Sequence, residues 1–372
     1  MTAEFGAAGT FGATDLVAPT ASLFSGAAGV ACAFYRLALC SGDAEYLAAA
    51  DMWLTRAEDR VNTADGFVDP ENGLTEKTVG SITPFHTASG VAAMRVLVAH
   101  AQGDARETRE AARRFVGLVR QSVRCVNRDL TLGRSGVLLA AALLGDVLPD
   151  DAPERLELAR IGSELLASLW HELNELPVLA RLHENLGMAH GWSGYIYAAL
   201  RFCRTFGCAQ PHRLCERLTE VAQLAEPWGR GLRWRWVDRG GDVGTTPGWC
   251  NGSAGFVQLF TLAHREFGEK RYLDSAIGAA WNAWEGGNGS GTLCCGEGGR
   301  AYALVRLAQH VGDDAWLARA KGLAERAATV IGQSSIEAQS LFQGRVGVAL
   351  LAADLERPET AAFPFLEDEG WR

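Results

Sequence analysis

Three cysteines near the C-terminal end are the residues whose type and spacing most clearly suggest chemistry. Cys250 lies in the stretch W-C-N-G (249–252), and Cys294 and Cys295 lie in L-C-C-G (293–296). Three protein thiolates and one open position would form a zinc site of the catalytic rather than the structural kind. Free cysteine is also an ordinary core residue. Because no C-x-x-C pair fixes a metal here, the spacing alone leaves both interpretations open.

The turns that carry these cysteines belong to a sevenfold repeat. Each turn has the pattern G-x-x-G or a close relative and is followed by an apolar run. Successive turns are separated by 44 residues (252 to 296) to 61 residues (26 to 87). That distance accommodates two helices of roughly 12 to 15 residues and their loops. The turns span 26–29, 87–90, 133–136, 191–194, 252–255, 296–299 and 344–347.

The segments between the turns predict an inner and an outer layer of helices. The apolar runs 137–144 and 195–200 suit helices that are buried nearly all round. The stretch 105–115 is amphipathic and charged, as an outer helix would be. We therefore predict an all-α fold, an α/α toroid (barrel) of seven helical hairpin repeats. The alternative, an open solenoid, would normally require polar end caps.

Composition narrows the class of protein. The even spread of the repeat over 372 residues predicts a single domain, 1–372. The balance of 35 Lys and Arg against 44 Asp and Glu argues against nucleic acid as a partner. Residues 1–20 lack a signal-peptide pattern and no apolar run reaches membrane-spanning length, which predicts a cytoplasmic protein without an integral membrane segment. Nine scattered cysteines favour reduced thiols and metal ligation over disulfides.

Alignment of the turns on their first position exposes a ring of equivalent residues. One position earlier stand Ser25, His86, Leu132, His190, Asn251, Cys295 and Gln343. All of these except Leu132 are polar or ionisable. Two positions earlier stand Phe24, Phe85, Thr131, Ala189, Cys250, Cys294 and Phe342. In a closed toroid both sets would lie at one end, around the axis. A buried polar ring would be costly to desolvate, so we expect it to line a cavity.

Three motifs and the repeated turn together resemble one known family. The motifs are N-L-G-M-A-H-G (185–191), W-C-x-G (249–252) and C-C-G (294–296). They resemble those of the lanthionine synthetase C-like cyclases, and the likeness runs from about Ser22 to Leu351. The resemblance implies an α/α toroid that uses zinc to activate a cysteine thiol of a modified peptide. The thiol then adds to dehydroalanine or dehydrobutyrine and closes a (methyl)lanthionine thioether ring.

The resemblance also assigns residues. It implies Cys250, Cys294 and Cys295 as zinc ligands, His190 as the active-site histidine, and Asp129 as an acidic residue near that histidine.

The chain departs from the family pattern at two positions. Most members have histidine where this chain has Cys295, and many have arginine where it has Thr246. The second departure leaves open how the enolate or the peptide is held.

Charge explains why this set of residues would suit the reaction. A free thiol is mostly protonated at neutral pH, and zinc coordination removes the proton. Three protein thiolates and one substrate thiolate would give the complex a formal charge of about −2, which keeps electron density on the attacking sulfur. The α-carbon must then take a proton. His190 is the best donor because imidazole titrates near working pH, and Asp129 would orient it or raise its pKa.

Other candidate features have weaker support. His86 shares the position of His190 and is either a second proton carrier or a structural histidine. The segment 231–236 alternates cations and aromatics, which fits either a strand-like rim that grips peptide or a half-buried loop. A further group matches no common zinc spacing and is assigned to core and surface: Cys203, Cys208, His212 and Cys215.

The leading functional hypothesis is a stand-alone lanthipeptide cyclase. Its substrate would be a dehydrated precursor peptide with its leader, supplied by a separate dehydratase or kinase/lyase enzyme. One alternative forms a related ring, such as aminovinyl-cysteine, with a decarboxylase partner. Another is a non-catalytic peptide-binding toroid, which would need neither a metal nor a proton donor. A glycosidase of similar fold would need paired carboxylates, and only Asp129 lies near the turns.

Overall fold

The computed structural model describes residues 17–179, 185–237, 243–287, 289–333 and 339–367, which form fourteen α-helices. In chain order these are α1 (Ala27–Ser41), α2 (Ala44–Arg60), α3 (Glu76–Val79), α4 (Ala88–Ala101), α5 (Ala105–Val119), α6 (Arg134–Val147), α7 (Pro153–Glu175), α8 (Trp192–Phe206), α9 (Leu214–Gln223), α10 (Ser253–Phe267), α11 (Lys270–Glu285), α12 (Glu297–Val311), α13 (Asp314–Gln333) and α14 (Arg345–Asp354).

Seven helices start at the repeated turns and form the inner layer: α1, α4, α6, α8, α10, α12 and α14. Their apolar sequences bury nearly the whole surface, as in α6, where 13 of 14 residues are buried. The outer helix α5 instead buries one stripe at helical spacing, which includes Ala111, Phe115 and Val119. Its first turn is capped by the Asp104 side chain, which accepts a hydrogen bond from the Glu107 N–H at 2.9 Å.

The inner helices close into a ring. Each packs against the next along the chain, and α14 packs against α1 as well as against α12. This closure confirms the predicted toroid and excludes the open solenoid.

Backbone hydrogen bonds between the turns form a second, smaller ring at one end of the barrel. The N–H groups of the residues two positions before each turn donate to the equivalent carbonyls of a neighbouring turn. These pairs are Thr131 to Ala189, Ala189 to Cys250, Cys250 to Cys294, Cys294 to Phe342, Phe342 to Phe24 and Phe24 to Phe85. The hydroxyl of Thr83 donates to the Thr131 carbonyl and supplies the remaining link. The predicted alignment of the seven turns is therefore confirmed.

Close approach of backbone explains the glycine at the end of each repeated turn. A Cβ on Gly299 would lie 1.9 Å from the carbonyl oxygen of Leu293, six residues earlier. No side chain fits at that distance, so the turn can pass beneath its own helix only at glycine.

Two small antiparallel sheets stand between α9 and α10. Strand β1 (Glu226–Trp228) pairs with β2 (Gly231–Arg233), and β3 (Arg235–Val237) pairs with β4 (Val243–Thr245). The segment 231–236 is thus strand-like, and its one fully buried side chain, Trp234, stacks on Phe256 at 4.1 Å. Strand β4 ends five residues before Cys250, so the sheet of β3 and β4 lies close to the ring of turns.

The last repeat differs from the others. In the described residues 355–367 no helix follows α14, and the segment instead packs into the core. Phe363 stacks on Trp249 with ring centroids 4.8 Å apart, and Phe365 meets Phe85 edge to face. This C-terminal segment therefore packs against Trp249, the residue that precedes the candidate ligand Cys250. Among the described residues, no helix combines the length and apolar character that crossing a membrane requires.

Candidate metal centre and active site

The three cysteine thiols form a compact cluster at the ring of turns. The Sγ of Cys295 lies 3.3 Å from that of Cys250 and 3.4 Å from that of Cys294, and all three lie within 4.8 Å of one another. Cys250 and Cys294 are buried, whereas Cys295 is exposed. Among the described residues, this is the one group of three or more His, Cys, Asp or Glu placed to hold a metal ion.

The dimensions of the cluster suit a tetrahedral metal. Zinc–sulfur bonds of about 2.3 Å place neighbouring sulfur atoms roughly 3.8 Å apart, which lies within the observed range. None of the nine cysteines, all in described segments, forms a disulfide. Because the donors are three sulfur atoms, a thiophilic ion such as zinc fits better than magnesium or calcium.

The three thiols also change one another's pKa values. Hydrogen bonds from Cys250 and Cys294 lower the pKa of Cys295 to about 3, against the effect of burial. The pKa of Cys250 is raised to about 12, because its hydrogen bond with Cys294 lowers it less than Cys295 and burial raise it. Hydrogen bonds to the other two cysteines, together with burial, raise the pKa of Cys294. All three cysteines could be thiolates at the same time only with a cation to offset their mutual repulsion.

The fold positions these ligands through the backbone ring. The N–H groups of Trp249 and Cys250 both donate to the carbonyl of Cys294, at 3.1 Å. The adjoining turn approaches just as closely, because a Cβ on Gly187 would lie 2.5 Å from the Cys250 carbonyl oxygen. This contact explains why position 187 of the N-L-G-M-A-H-G motif is glycine, since any side chain there would clash with the Cys250 carbonyl.

His190 and Asp129 form a hydrogen-bonded pair beside the cluster. The Nδ1 of His190 lies 2.7 Å from Oδ2 of Asp129. The other carboxylate oxygen accepts from the N–H groups of Thr131 and Leu132 at 2.7 and 2.9 Å, and from the Thr131 hydroxyl at 3.0 Å. The carboxylate is therefore fixed and in turn fixes the imidazole. After the hydrogen bonds within the cluster, the charge of His190 also lowers the pKa of Cys295, so the two groups are close.

His86 is buried close enough to this pair for the charges of Asp129 and His190 to act on it. Its ring stacks on Phe24 at 4.7 Å, and its Nδ1 has no hydrogen-bond partner among the described residues. Burial lowers its pKa to about 4, although the charge of Asp129 acts in the opposite direction. His86 is thus a neutral ring at neutral pH and holds no imidazolium proton to deliver.

A cavity of 590 Å³ opens beside Cys295. Three of the aligned positions line it, Ser25, Cys295 and Gln343, so the prediction that the polar ring lines a cavity holds for these three, whereas His86, His190 and Asn251 are not in the lining. The sequence reasoning gave no role to several other residues of the site. Thr131 links Asp129 to His190, and the remaining cavity lining lies outside the aligned positions: Val17, Ala18, Pro19, Asp69, Asn72, Leu74, Ser290, Thr292, Gln339 and Ser340.

All seven inner helices begin at this end of the barrel. Six of them start after a glycine that provides no side-chain cap, and in five of these the first N–H donates to the carbonyl seven residues earlier, as Ala27 does to Thr20 and Glu297 to Ser290. Helix N-termini carry partial positive charge and favour anions. The fold itself therefore favours thiolates and an enolate at this end.

The other group of cysteines noted in the sequence does not share one environment. Cys203 is buried, Cys208 is partly buried and Cys215 is exposed.

Comparison with known proteins gives consistent results. The family model described as lanthionine synthetase C-like protein matches residues 19–367. Glutathione S-transferase LANCL1 of Danio rerio is 26% identical over 369 residues, covering 92% of this chain and 84% of that protein. The solved structure of nisin cyclase aligns with a TM-score of 0.69 at 15% identity, covering 94% of this chain and 90% of the other. At that identity, the structural likeness shows a shared fold.

Proposed function

The chain belongs to the lanthionine synthetase C-like family, and we propose that it is a zinc-dependent lanthipeptide cyclase. Cys250, Cys294 and Cys295 would hold the zinc ion. The substrate would be a precursor peptide that already contains dehydroalanine or dehydrobutyrine. The product would be a (methyl)lanthionine thioether ring. The finding that supports this proposal most directly is the placement of a three-thiol cluster beside a fixed histidine–carboxylate pair.

Bound zinc would lower the pKa of a substrate thiol and keep it as a nucleophile at neutral pH. His190 takes the proton of the incoming thiol on Nε2, since its Nδ1–H is directed at Asp129. The sulfur then attacks the β-carbon, a carbon–sulfur bond forms, and the π electron pair moves to the α-carbon as an enolate. His190 returns the proton to that carbon. Atoms and charge balance, and no oxidant or reductant takes part.

Asp129 would stabilise the imidazolium that exists between the two proton transfers. Its carboxylate is fixed by the N–H groups of Thr131 and Leu132, so it holds Nδ1 and leaves proton exchange to Nε2. Thr246 replaces the arginine that many family members have at this position, so a cationic side chain is absent there. We propose that the partial positive charge of the helix N-termini, rather than free N–H donors, takes over part of the enolate stabilisation.

The proposed partners follow from the reaction. A separate dehydratase or kinase/lyase enzyme must supply the dehydrated residues, and a leader segment would deliver the peptide. We place the reaction in the cytoplasm, because all nine cysteines are free thiols and the nucleophile must stay reduced.

A second candidate function is the addition of glutathione to a dehydrated residue. It is favoured by the name of the 26% identical relative, a glutathione S-transferase. The chemistry at sulfur would be the same, and only the source of the thiol differs.

One experiment tests the proposal against a non-catalytic toroid. A synthetic peptide with one cysteine and one dehydroalanine is incubated with excess zinc-replete protein, and free thiol is trapped by alkylation before mass spectrometry. Ring closure leaves the mass unchanged but removes the alkylation site. We expect time-dependent loss of alkylation, absent for a control peptide with alanine in place of dehydroalanine. A peptide that stays fully alkylated with zinc-replete protein would contradict the proposed activity.

A further inference from the structure

The cavity beside Cys295, called the groove from here on, carries little charge and no cation among the described residues. It crosses the seventh turn, with the sixth turn on one side, the first on the other, and the loop of Asp69 at its edge. In the part of the chain that the structure describes, its lining includes no Lys, Arg or His, and Asp69 is the one carboxylate. Both Asp69 oxygens accept hydrogen bonds from Asn72, at 3.3 and 2.6 Å, so the carboxylate stays in place.

Neutral hydrogen-bonding groups make up the polar part of this lining. Ser290 and Thr292 supply hydroxyls on one wall, and Gln339 and Gln343 supply amides across the seventh turn. Gln339 is only 6% exposed, and its Oε1 has no hydrogen-bond partner among the described residues. A buried acceptor without a partner is costly and indicates a donor supplied by a ligand.

We propose that this groove binds the uncharged main chain of the substrate next to the attacking cysteine and discriminates against anionic thiols such as glutathione. The inference rests on the proposed function, because it places that substrate on one side of the Cys295 thiol. Peptide N–H and C=O groups match the hydroxyls and amides of the groove and bring no charge into it.

Glutathione fits this lining poorly for electrostatic reasons. At neutral pH it carries two carboxylates and one ammonium group, a net negative charge. Carboxylates need cations or several N–H donors when they leave water. The groove instead presents the Asp69 carboxylate and, among its described lining residues, no cation. The negative charge would be repelled by Asp69 and would find no cationic partner.

The test measures binding without any reacting thiol. The ligands are S-methylglutathione and N-acetyl-S-methylcysteine N-methylamide, titrated calorimetrically into the zinc-loaded full chain. We expect the wild type to bind the neutral ligand more tightly. Gln343→Lys, on an exposed side chain whose backbone contact is kept, should tighten S-methylglutathione about fivefold, as one close charge pair in water would. The neutral ligand should not bind more tightly, because the change removes one amide of the groove and the ligand offers no charge for the lysine to pair with.

Salt and a matched variant make the result specific. The gain should disappear between about 0.05 and 0.5 M KCl, where screening shortens the range of the added charge. Gln102→Lys makes the same charge change on an exposed residue after α4, at the opposite end of the barrel, and should have no effect.

Two results would overturn the inference: tighter binding of S-methylglutathione by the wild type, or equal behaviour of Gln343→Lys and Gln102→Lys. Its failure differs from failure of the proposed function. A protein that closes rings without this discrimination contradicts only the groove assignment. A protein that discriminates but closes no ring contradicts only the cyclase activity.

Discussion

The two ends of the barrel are built from the same seven inner helices but hold their polar groups differently. At the helix N-termini, Cys295 and His190 are both exposed, and Cys295 lines the cavity. At the other end, polar groups bind one another. His264 Nδ1 lies 2.7 Å from His310 Nε2, and Asp354 accepts a hydrogen bond from Tyr302 at 2.8 Å.

The comparison shows how one repeat can leave polar side chains accessible at one end and bury them among partners at the other. At the C-terminal ends of the helices, Asp354 lies beside Arg36, Cys40 and Tyr302, and its carboxylate is completely buried. Burial raises the pKa of Asp354, and the partners offset that cost. At the N-terminal ends, Cys295 and His190 stay exposed although neighbouring side chains hold them in place, which leaves room for a substrate.

The largest expected effect comes from removal of a buried thiol at the site end. Cys294→Ala should reduce zinc from about one per chain towards none and abolish ring closure, because it removes a ligand rather than a supporting group. Metal analysis and the alkylation assay measure both quantities. Cys40→Ser, at the opposite end, is the matched control and should keep both. Full zinc occupancy in Cys294→Ala would reject the ligand assignment.

The second effect separates proton transfer from metal binding. His190→Ala should keep zinc and fold but slow ring closure by about 10²- to 10⁴-fold, the usual contribution of general acid–base catalysis. Single-turnover rates on the dehydrated peptide measure the loss. His310→Ala, at the opposite end, should close rings at the wild-type rate. If His190→Ala were as fast as the wild type, water or another residue would supply the proton.

A third effect concerns pH and stability. The pKa of His86 is lowered to about 4 in the fold, so between pH 6.5 and 4 the unfolded chain binds a proton that the folded chain does not. The free energy of unfolding therefore falls as the pH falls through this window. His86→Gln should reduce that fall by about 3 kcal/mol, measured by urea unfolding at pH 7 and pH 4.

The control for this effect is His100→Gln, in the last turn of α4, the inner helix that follows His86. Burial also lowers the pKa of His100, but that residue is only half-buried, so its effect should be smaller with the same sign. Identical slopes for wild type and His86→Gln would show that His86 does not titrate in this range.

The smallest effect tests the third thiolate. Cys295→His should retain zinc, because imidazole is an equally acceptable ligand. It removes one negative charge, so the substrate sulfur should be less nucleophilic and ring closure several-fold slower, most visibly at hindered dehydrobutyrine. The single-turnover rate on matched dehydroalanine and dehydrobutyrine peptides is the measurement. A zinc-replete variant faster than the wild type would show that thiolate richness does not speed the step.

Much of the architecture could be predicted because it is encoded locally. Helical periodicity and glycine-led turns recur along the chain, so the number of inner helices and the alignment of the turns followed from the sequence. The seventh repeat shows the limit of such reasoning. Nothing in the local pattern of 355–367 indicates that Phe363 and Phe365 enter the core, since that depends on the space left by the other repeats. The extent of the single predicted domain, 1–372, stays a prediction.

The sequence by itself determined which residue types stand before each turn, and therefore that Cys250 and Cys294 occupy equivalent positions with Cys295 beside them. Tertiary structure alone decided which of these residues meet. Asp129 and His190 are 61 positions apart, and their 2.7 Å contact exists only because neighbouring turns are hydrogen-bonded into a closed ring. The groove from Cys295 towards Asp69 likewise joins segments from opposite ends of the chain. Ring closure depends on the packing of every inner helix at once, which no local pattern records.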